Sequence, residues 1–437
     1  MSNTTENPDP EASTYDVFVA GAGSAGIAAA VCAARSGMRT LLIDRSPTPG
    51  GNVANALVHS ICGLYIISPD LIPRPANGGF AMEFAQALVD DGAAAGPVRM
   101  DKLDVLLQEP ILFSRFCATL LSKEKNLTYL PNTRLIDVVT DDSRILSVKV
   151  DSCPEAINAT AFIDTTGEAD LAYLAGAEWE AAPPGKLQRP AYIFSIGNVK
   201  MDAVDEEGRL EFSRKIVSGI RTGVLDPRLA ATVMRPTCVP DQVQITIDLD
   251  AEGDHYSPLN PDFLTKLQIL GQNLAKQLEG HLRSQVTGFE ECEITTYPAS
   301  VGIRESRRIA GRHRLTSAEI LQGADFEDTV CRSAWPIELR ETASGPKMKY
   351  PLDGKPAGIP LRALLSRDFE NLVMAGRCIS SSHQAQGAIR VIGTCLAMGQ
   401  AAGLAATQLV QSETKSIPEG SEASAARPIR DAVLQGI

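Results

Sequence analysis

The chain has 437 residues, 44% of them hydrophobic and 22% charged, with a formal net charge of −12. That length exceeds one simple core and predicts two joined domains, and the ordinary apolar fraction excludes global disorder. The acidic balance argues against nucleic acid or an anionic membrane surface as the main partner.

Nine cysteines are scattered without a Cys-x-x-Cys pair, and an odd number cannot all pair internally. Reduced thiols in a cytoplasmic protein are expected. Five histidines, no two at ligand spacing, predict no bound metal. The polar, acidic N-terminus lacks the basic and apolar regions of a secretory signal, and no apolar run reaches the ~18 residues of a membrane span.

In chain order, residues 1–14 are expected to be disordered, and residues 15–20 read as a buried strand of a parallel sheet. The run Gly21-Ala22-Gly23-Ser24-Ala25-Gly26 leads into an Ala-rich helix through Ser36, with Gly37 at its C-cap. Residues 40–43 form a second strand closing at Asp44, which completes a β-α-β unit. Residues 110–125 have helical periodicity, 127–150 read as short strands, and 161–164 as another buried strand. Between about 178 and 300 the pattern changes to prolines, polar strands such as 242–247, and one long helix near 261–285. A strand ending in glycine returns at 371–376, and a small-residue helix runs to about Leu409. Residues 411–425 read as flexible, with a short helix from Pro428.

Strand, glycines, helix, strand and acid occur here in the order of a dinucleotide-binding unit. Gly21 permits the tight turn, Gly23 lets backbone approach a pyrophosphate, and Gly26 lets helix and strand pack closely. The start of the helix, at Ser24 and Ala25, offers free N–H groups to phosphate. Asp44 can accept hydrogen bonds from ribose hydroxyls.

Further stretches carry a resemblance. Pro49-Gly50-Gly51-Asn52 resembles the paired glycines on the flavin side of glutathione-reductase-like flavoproteins. Residues 161–170 resemble the I-D-A-T-G-D-x-D strand and turn of that superfamily, with Thr166-Gly167 near the adenosine and pyrophosphate end. Residues 302–309, Gly-Ile-Arg-Glu-Ser-Arg-Arg-Ile, together with Leu315-Thr316, 359–364, 371–380 and 387–395, resemble the signature of the FAD-dependent oxidoreductase family common in bacteria. The resemblance covers roughly 15–410, apart from about 178–290. The superfamily often has Gly-Asp where this chain has Gly376-Arg377.

The resemblance implies an α/β fold: a Rossmann-like FAD-binding domain of glutathione-reductase topology with an inserted α+β cap. Residues 15–177 and 300–410 would form the former, 178–299 the substrate cap, and 411–437 a tail. It implies noncovalent FAD contacted by Gly21, Gly23, Ser24, Ala25, Gly26, Asp44, Arg45, Gly50, Gly51, Asn52, Leu135, Thr166, Gly167, Gly376, Arg377, Ile389 and Arg390. His383 lies between the Gly376 turn and the flavin-facing helix, as a base, as a group orienting a substrate hydroxyl or amine, or as a loop histidine bonded to backbone. Arg390 would stabilise anionic reduced flavin. Arg304 and Arg307 either clamp a substrate carboxylate or pair with acids at a domain seam. His59 and Cys62 follow the paired glycines and either line the site, attach the flavin covalently, or serve packing.

Three functions follow from these residues. The first is a dehydrogenase or oxidase passing a hydride from a small organic substrate to flavin, reoxidised by oxygen or another acceptor. It is favoured by the lack of a second G-x-G-x-x-G. The second is an NAD(P)H-dependent monooxygenase or halogenase, faintly echoed by residues 333–337. The third is a non-catalytic FAD-binding protein. A thiol–disulfide reductase is disfavoured for want of a redox cysteine pair. Substrate identity and oligomeric state do not follow from the sequence.

Overall fold

The computed structural model describes residues 14–69, 72–183, 185–249, 256–342 and 345–436. The expected disorder of the N-terminal segment, residues 1–13, lies outside the described residues.

The first strand, β1 (Thr14–Ala20), is apolar on both faces from Val17 onward because it is buried on both faces. It leads into α1 (Ser24–Arg35) and then β2 (Thr40–Ile43), which pairs with β1 in parallel, Val17 opposite Thr40. Gly37, at φ +88°, ends α1, and its N–H returns to the Ala34 carbonyl. After α2 (Pro110–Lys123), β3 (Leu127–Leu130) adds to the outer side of β2. A three-stranded antiparallel meander follows, formed by β4 (Leu135–Asp141), β5 (Arg144–Val150) and β6 (Cys153–Asp164).

Strand β6 has two roles. Its first half closes the meander, and its second half pairs in parallel with β1, Phe18 opposite Phe162. The short buried strand expected at 161–164 is thus the end of a 12-residue strand.

From Ala191 the chain builds a second sheet with its own core. Strands β7 (Ala191–Gly197), β8 (Val233–Pro236), β9 (Val243–Asp248) and β10 (Glu293–Thr296) lie antiparallel in the order β8-β9-β7-β10. Between β7 and β8 runs a helix the sequence reading passed over, α3 (Glu206–Arg221), and α4 (Pro261–Gln285) follows β9. Asn260 caps α4 by accepting from the Asp262 and Phe263 N–H groups, with Pro261 in the first turn. Phe194, Ile245 and Ile247 from the sheet pack with Phe212, Leu274, Leu278 and Phe289. Gly271 lets α4 pass over the Tyr192 ring, where a Cβ would meet ring carbon at 2.2 Å.

The chain then returns to the first sheet through β11 (Leu372–Met374), parallel to β6 with Leu372 opposite Phe162. The parallel order is therefore β3-β2-β1-β6-β11, with the meander hanging from β6, which is the glutathione-reductase topology. Helices α5 (His383–Ile389) and α6 (Ile392–Gln411) follow. Gly399 and Gly403 bring α6 onto α1, where added Cβ atoms would lie 2.1 and 2.4 Å from the Ala25 and Ala29 carbonyl oxygens.

No single described helix is long and apolar enough to cross a membrane. Helices α5 and α6 together have the length, but they bend by 94° and most of their residues are buried in the core. A last helix, α7 (Glu422–Val433), starts ahead of Pro428 because Ala426, Ile429 and Val433 form a buried face. The Glu422 carboxylate meets Arg312 at 3.1 Å.

Candidate active site

The turn after β1 is shaped by its glycines. At Gly21, φ +98°, a Cβ would meet the Thr165 carbonyl oxygen at 2.7 Å. At Gly26 it would sit 1.8 Å from the Gly21 carbonyl oxygen and 2.5 Å from Thr165 Oγ1. Gly23 is the opposite case, with nothing within 4 Å. Gly23 also caps α1 without a side chain, so the first N–H groups, from Ser24 and Ala25, lack intrahelical acceptors at the positive end of the helix.

The segment carrying Gly50 and Gly51 folds over this turn. Gly50 donates its N–H to the Ala22 carbonyl at 2.8 Å, and a Cβ on Gly51, φ +55°, would meet Gly23 Cα at 3.0 Å. Asn52 begins the next helical turn and reaches the Ile303 carbonyl at 2.9 Å. Asp44 accepts from the Ala22 N–H at 2.5 Å on one oxygen and from the Ser46 N–H at 2.7 Å on the other. Each oxygen keeps a second lone pair. Leu135 opens β4 two residues after Thr133, whose N–H donates to the Asp44 carbonyl at 2.8 Å. Arg45 lies 3.6 Å from Glu168, whose charge raises its pKa.

The turn after β6 is held from within. Buried Asp164 accepts from Thr166 N and Oγ1 and from the Ala172 N–H, and burial pushes its pKa to about 6 against those bonds. Arg377 lies across this turn. It donates to the Gly167 carbonyl at 3.0 Å, to Glu168 at 2.6 Å, and to the Ile303 carbonyl. The departure from Gly-Asp thus has a local reason. An aspartate at 377 would face Glu168 and two carbonyl oxygens. Arg377 is a clasp between the turn and the returning strand, with its donors occupied inside the protein. Gly376, φ +85°, lies against Ala25 of α1.

The arginine-rich run after Gly302 is a second clasp. Arg304 donates to the Arg189 carbonyl at 2.5 Å and pairs with Asp248 of β9 at 2.8 Å. Arg307 meets the Glu168 carbonyl and Asp170, and lies 4.0 Å over the Tyr173 ring. Arg304 thus ties the run to the second sheet, whereas both partners of Arg307 lie in the turn after β6 of the first. Glu305 is fully buried, accepting from Arg308 at 2.6 Å and meeting His383 Nδ1 at 2.7 Å. His383 Nε2 lies 2.9 Å from Glu341. Burial disfavours the imidazolium, but the hydrogen bonds and charges of both carboxylates outweigh it, so the His383 pKa is raised. Both ring nitrogens are thus engaged by carboxylates, and neither is left free in this arrangement.

His59 is different. It is 6% exposed, and neither ring nitrogen has a well-formed partner among the described residues. Burial, then the charge of Arg235 on β8, lowers its pKa to about 3, although the nearby Leu57 backbone slightly favours the cation. Cys62, three residues on, feels the charges of Glu338, Arg235, Arg390 and Arg340, and burial pushes its thiol to about 12. The Cys62 carbonyl accepts from Gly393 in the first turn of α6 at 2.8 Å. Ile389, buried at the end of α5, is followed by Arg390, whose Nε has no partner among the described residues and whose Nη2 reaches Gln188 at 3.4 Å. Burial lowers its pKa to about 10, partly offset by Glu338.

The family model for FAD dependent oxidoreductases matches residues 16–419. The chain belongs to that family. No curated protein sequence matches it. Among solved structures, it resembles a geranylgeranyl bacteriochlorophyll reductase-like protein from Thermoplasma acidophilum at 13% identity and TM-score 0.47, covering 96% of this chain and 84% of that one. It also resembles p-nitrophenol 4-monooxygenase from Pseudomonas putida at 12% and 0.49, covering 96% and 85%, and a flavin-dependent brominase at 12% and 0.46, covering 95% and 83%. At such scores these likenesses assign no chemistry.

The cradle fits FAD, the family's cofactor. The open face over Gly23, walled by Gly51 and the start of α1, suits a pyrophosphate. The Asp44 oxygens, each with a lone pair to spare, would accept from ribose hydroxyls. Sequence reading missed Asp248, Glu338, Arg340 and Arg235 as parts of this site. Asp248 pairs with Arg304, which it did name, and Arg340 joins Asp248 to Glu338. Arg235 sits in a strand with no motif, so nothing signalled it.

Proposed function

We propose that the chain is a dehydrogenase or oxidase that holds FAD noncovalently and oxidises a small organic substrate, with residues 178–299 as its substrate cap. Bound FAD supplies the two-electron acceptor. The observation carrying this reading is His59, a neutral, buried imidazole whose nitrogens have no well-formed partner among the described residues, on the segment that touches the start of α6. One nitrogen can accept a hydrogen bond from a substrate hydroxyl or amine, and its ring is unprotonated at neutral pH, as an acceptor must be. Arg390 remains charged at neutral pH and favours negative charge beside it. His383 is a positioning residue that ties Glu305 to Glu341. Thiol chemistry is not supported: all nine cysteines are free, and burial raises the thiols of Cys62, Cys378 and Cys395.

The test is anaerobic mixing of the flavin-loaded protein with panels of alcohols, amines and hydroxy or amino acids, and separately with NADH or NADPH, following flavin absorbance. Bleaching by a member of the first panel supports the reading. Rapid bleaching by NADPH alone would replace it with a monooxygenase. Flavin that remains in the pellet after acid precipitation would contradict noncovalent attachment.

A further inference from the structure

Helix α3 packs into the core of the second sheet through Phe212, Ile216 and Gly219, which are buried. Its opposite side is open. At ~100° per residue, Glu206, Leu210, Val217 and Arg221 fall within about 60° of one another around the helix axis. All four are exposed, Leu210 at 50% and Val217 at 59%. Glu206 and Arg221 belong to no ion pair among the described residues.

A single exposed leucine needs no explanation, but this one stands beside a recess. An open cavity of about 350 Å³ is lined by Ser213, Arg214, Val217, Ser218 and Arg221. Arg214, Val217, Ser218 and Arg221 occupy positions i, i+3, i+4 and i+7, the four that form a hole for a side chain from a facing helix. Leu210 is an exposed apolar knob two turns earlier on the same face, about 11 Å along the axis from Val217.

The spacing specifies the partner. Leu210 and Val217 are centred on a point between Ser213 and Arg214, and so are Glu206 and Arg221. A twofold axis through that point sets a second α3 antiparallel to the first. Leu210 of each copy then meets Val217 and the recess of the other, and Glu206 of each meets Arg221 of the other. The charge order agrees, with Glu206 and Glu207 in the first turn and Arg221 in the last. Arg209 and Lys215 lie on other sides of the helix. Arg214 stands nearest the axis, where Glu211 of the other copy lies within a turn to offset the like charge. Apolar and charged pairs that share one axis make a self-complementary surface, as isologous pairing requires.

We propose that the exposed face of α3 is a dimer interface, at which two copies of this chain pair antiparallel about a twofold axis between Ser213 and Arg214. Two helices of this length cover less than the ~1,200–2,000 Å² of a stable interface, so the dimer forms and dissociates with concentration.

The experiment is sedimentation velocity of the flavin-loaded protein over a wide concentration series, in which monomer should give way to dimer as concentration rises. Val217→Asp should weaken association at least about ten-fold, because it buries a carboxylate against Leu210 without a partner. Glu206→Arg or Arg221→Glu alone should weaken it about three- to ten-fold at low salt, since each sets like charges together twice across the axis. Combining Glu206→Arg with Arg221→Glu should restore it toward the parent, because opposite signs again face each other. Flavin content and Tm show that each variant folds, as exposed positions allow. A chain that stays monomeric at every concentration, which would leave this face to a protein of another sequence, would overturn the proposal. So would a dimer indifferent to Val217→Asp, or single charge variants that the double variant fails to rescue.

Discussion

Gly23 and Gly26 lie three residues apart in one motif, yet a methyl group added to each should have opposite consequences. At Gly26 the new Cβ would stand 1.8 Å from the Gly21 carbonyl oxygen, and both atoms belong to backbone. Relief requires α1 to move away from the β1 turn, an overpacking cost of about 3 kcal/mol or more. At ~2.1 cal/mol/K per residue, unfolding 437 residues carries about 0.9 kcal/mol/K, so the apoprotein Tm should fall by about 3 °C or more. At Gly23 there is no atom to meet within 4 Å, and φ −75° suits alanine. The poorer N-cap costs up to about 1 kcal/mol. The stiffer unfolded chain returns ~0.4–1 kcal/mol, so apoprotein stability should hardly change. The methyl group would instead fill the face offered to the pyrophosphate. Losing one charge-assisted bond of about 1.5–3 kcal/mol there weakens FAD binding about ten- to 150-fold. Calorimetry of the apoproteins and flavin-fluorescence titration read the two effects separately. A Gly23→Ala protein with unchanged FAD affinity, or a Gly26→Ala apoprotein with unchanged Tm, would refute the assignment.

Three further outcomes follow from the ion pairs. Burial opposes the Glu338 carboxylate, but Arg340 and Arg390 hold its pKa down to about 2 from 4.5, so its stabilising contribution is present above pH 4.5 and fades as pH falls toward 2. Glu338→Gln should cost about 3–5 kcal/mol at neutral pH and flatten that acid limb in urea unfolding. The His383 pKa is raised above 6.5 by Glu305 and Glu341 against burial, so its contribution is full below pH 6.5 and is lost as pH rises through the folded value. His383→Gln should therefore lose the most stability, relative to the parent, on the acid side of neutrality, measured across a pH series. Arg377→Asp, which restores the superfamily's residue, should lower stability by about 3–5 kcal/mol in chemical unfolding, because it sets two carboxylates together where Glu168 is 7% exposed.

The parts of this molecule that were legible in the sequence are those where local backbone demands write themselves into residue type. Gly21 and Gly26 are glycine because neighbouring backbone leaves no volume for a Cβ, and that demand falls within one β-α turn of sequence. The same demand at Gly399 and Gly403 went unread, since the carbonyls that impose it belong to Ala25 and Ala29, more than 370 positions away. Charge behaves likewise. Arg304 and Arg307 could be named from their motif, but whether they hold substrate or protein depends on Asp248 and Asp170, which the motif does not contain. His383 and His59 looked alike as isolated histidines. What separates them is that two carboxylates from distant segments converge on one and none converges on the other. A motif therefore finds the residues that shape the cofactor's cradle, whereas which of its charged side chains are already paired within the protein is decided by segments far away in sequence.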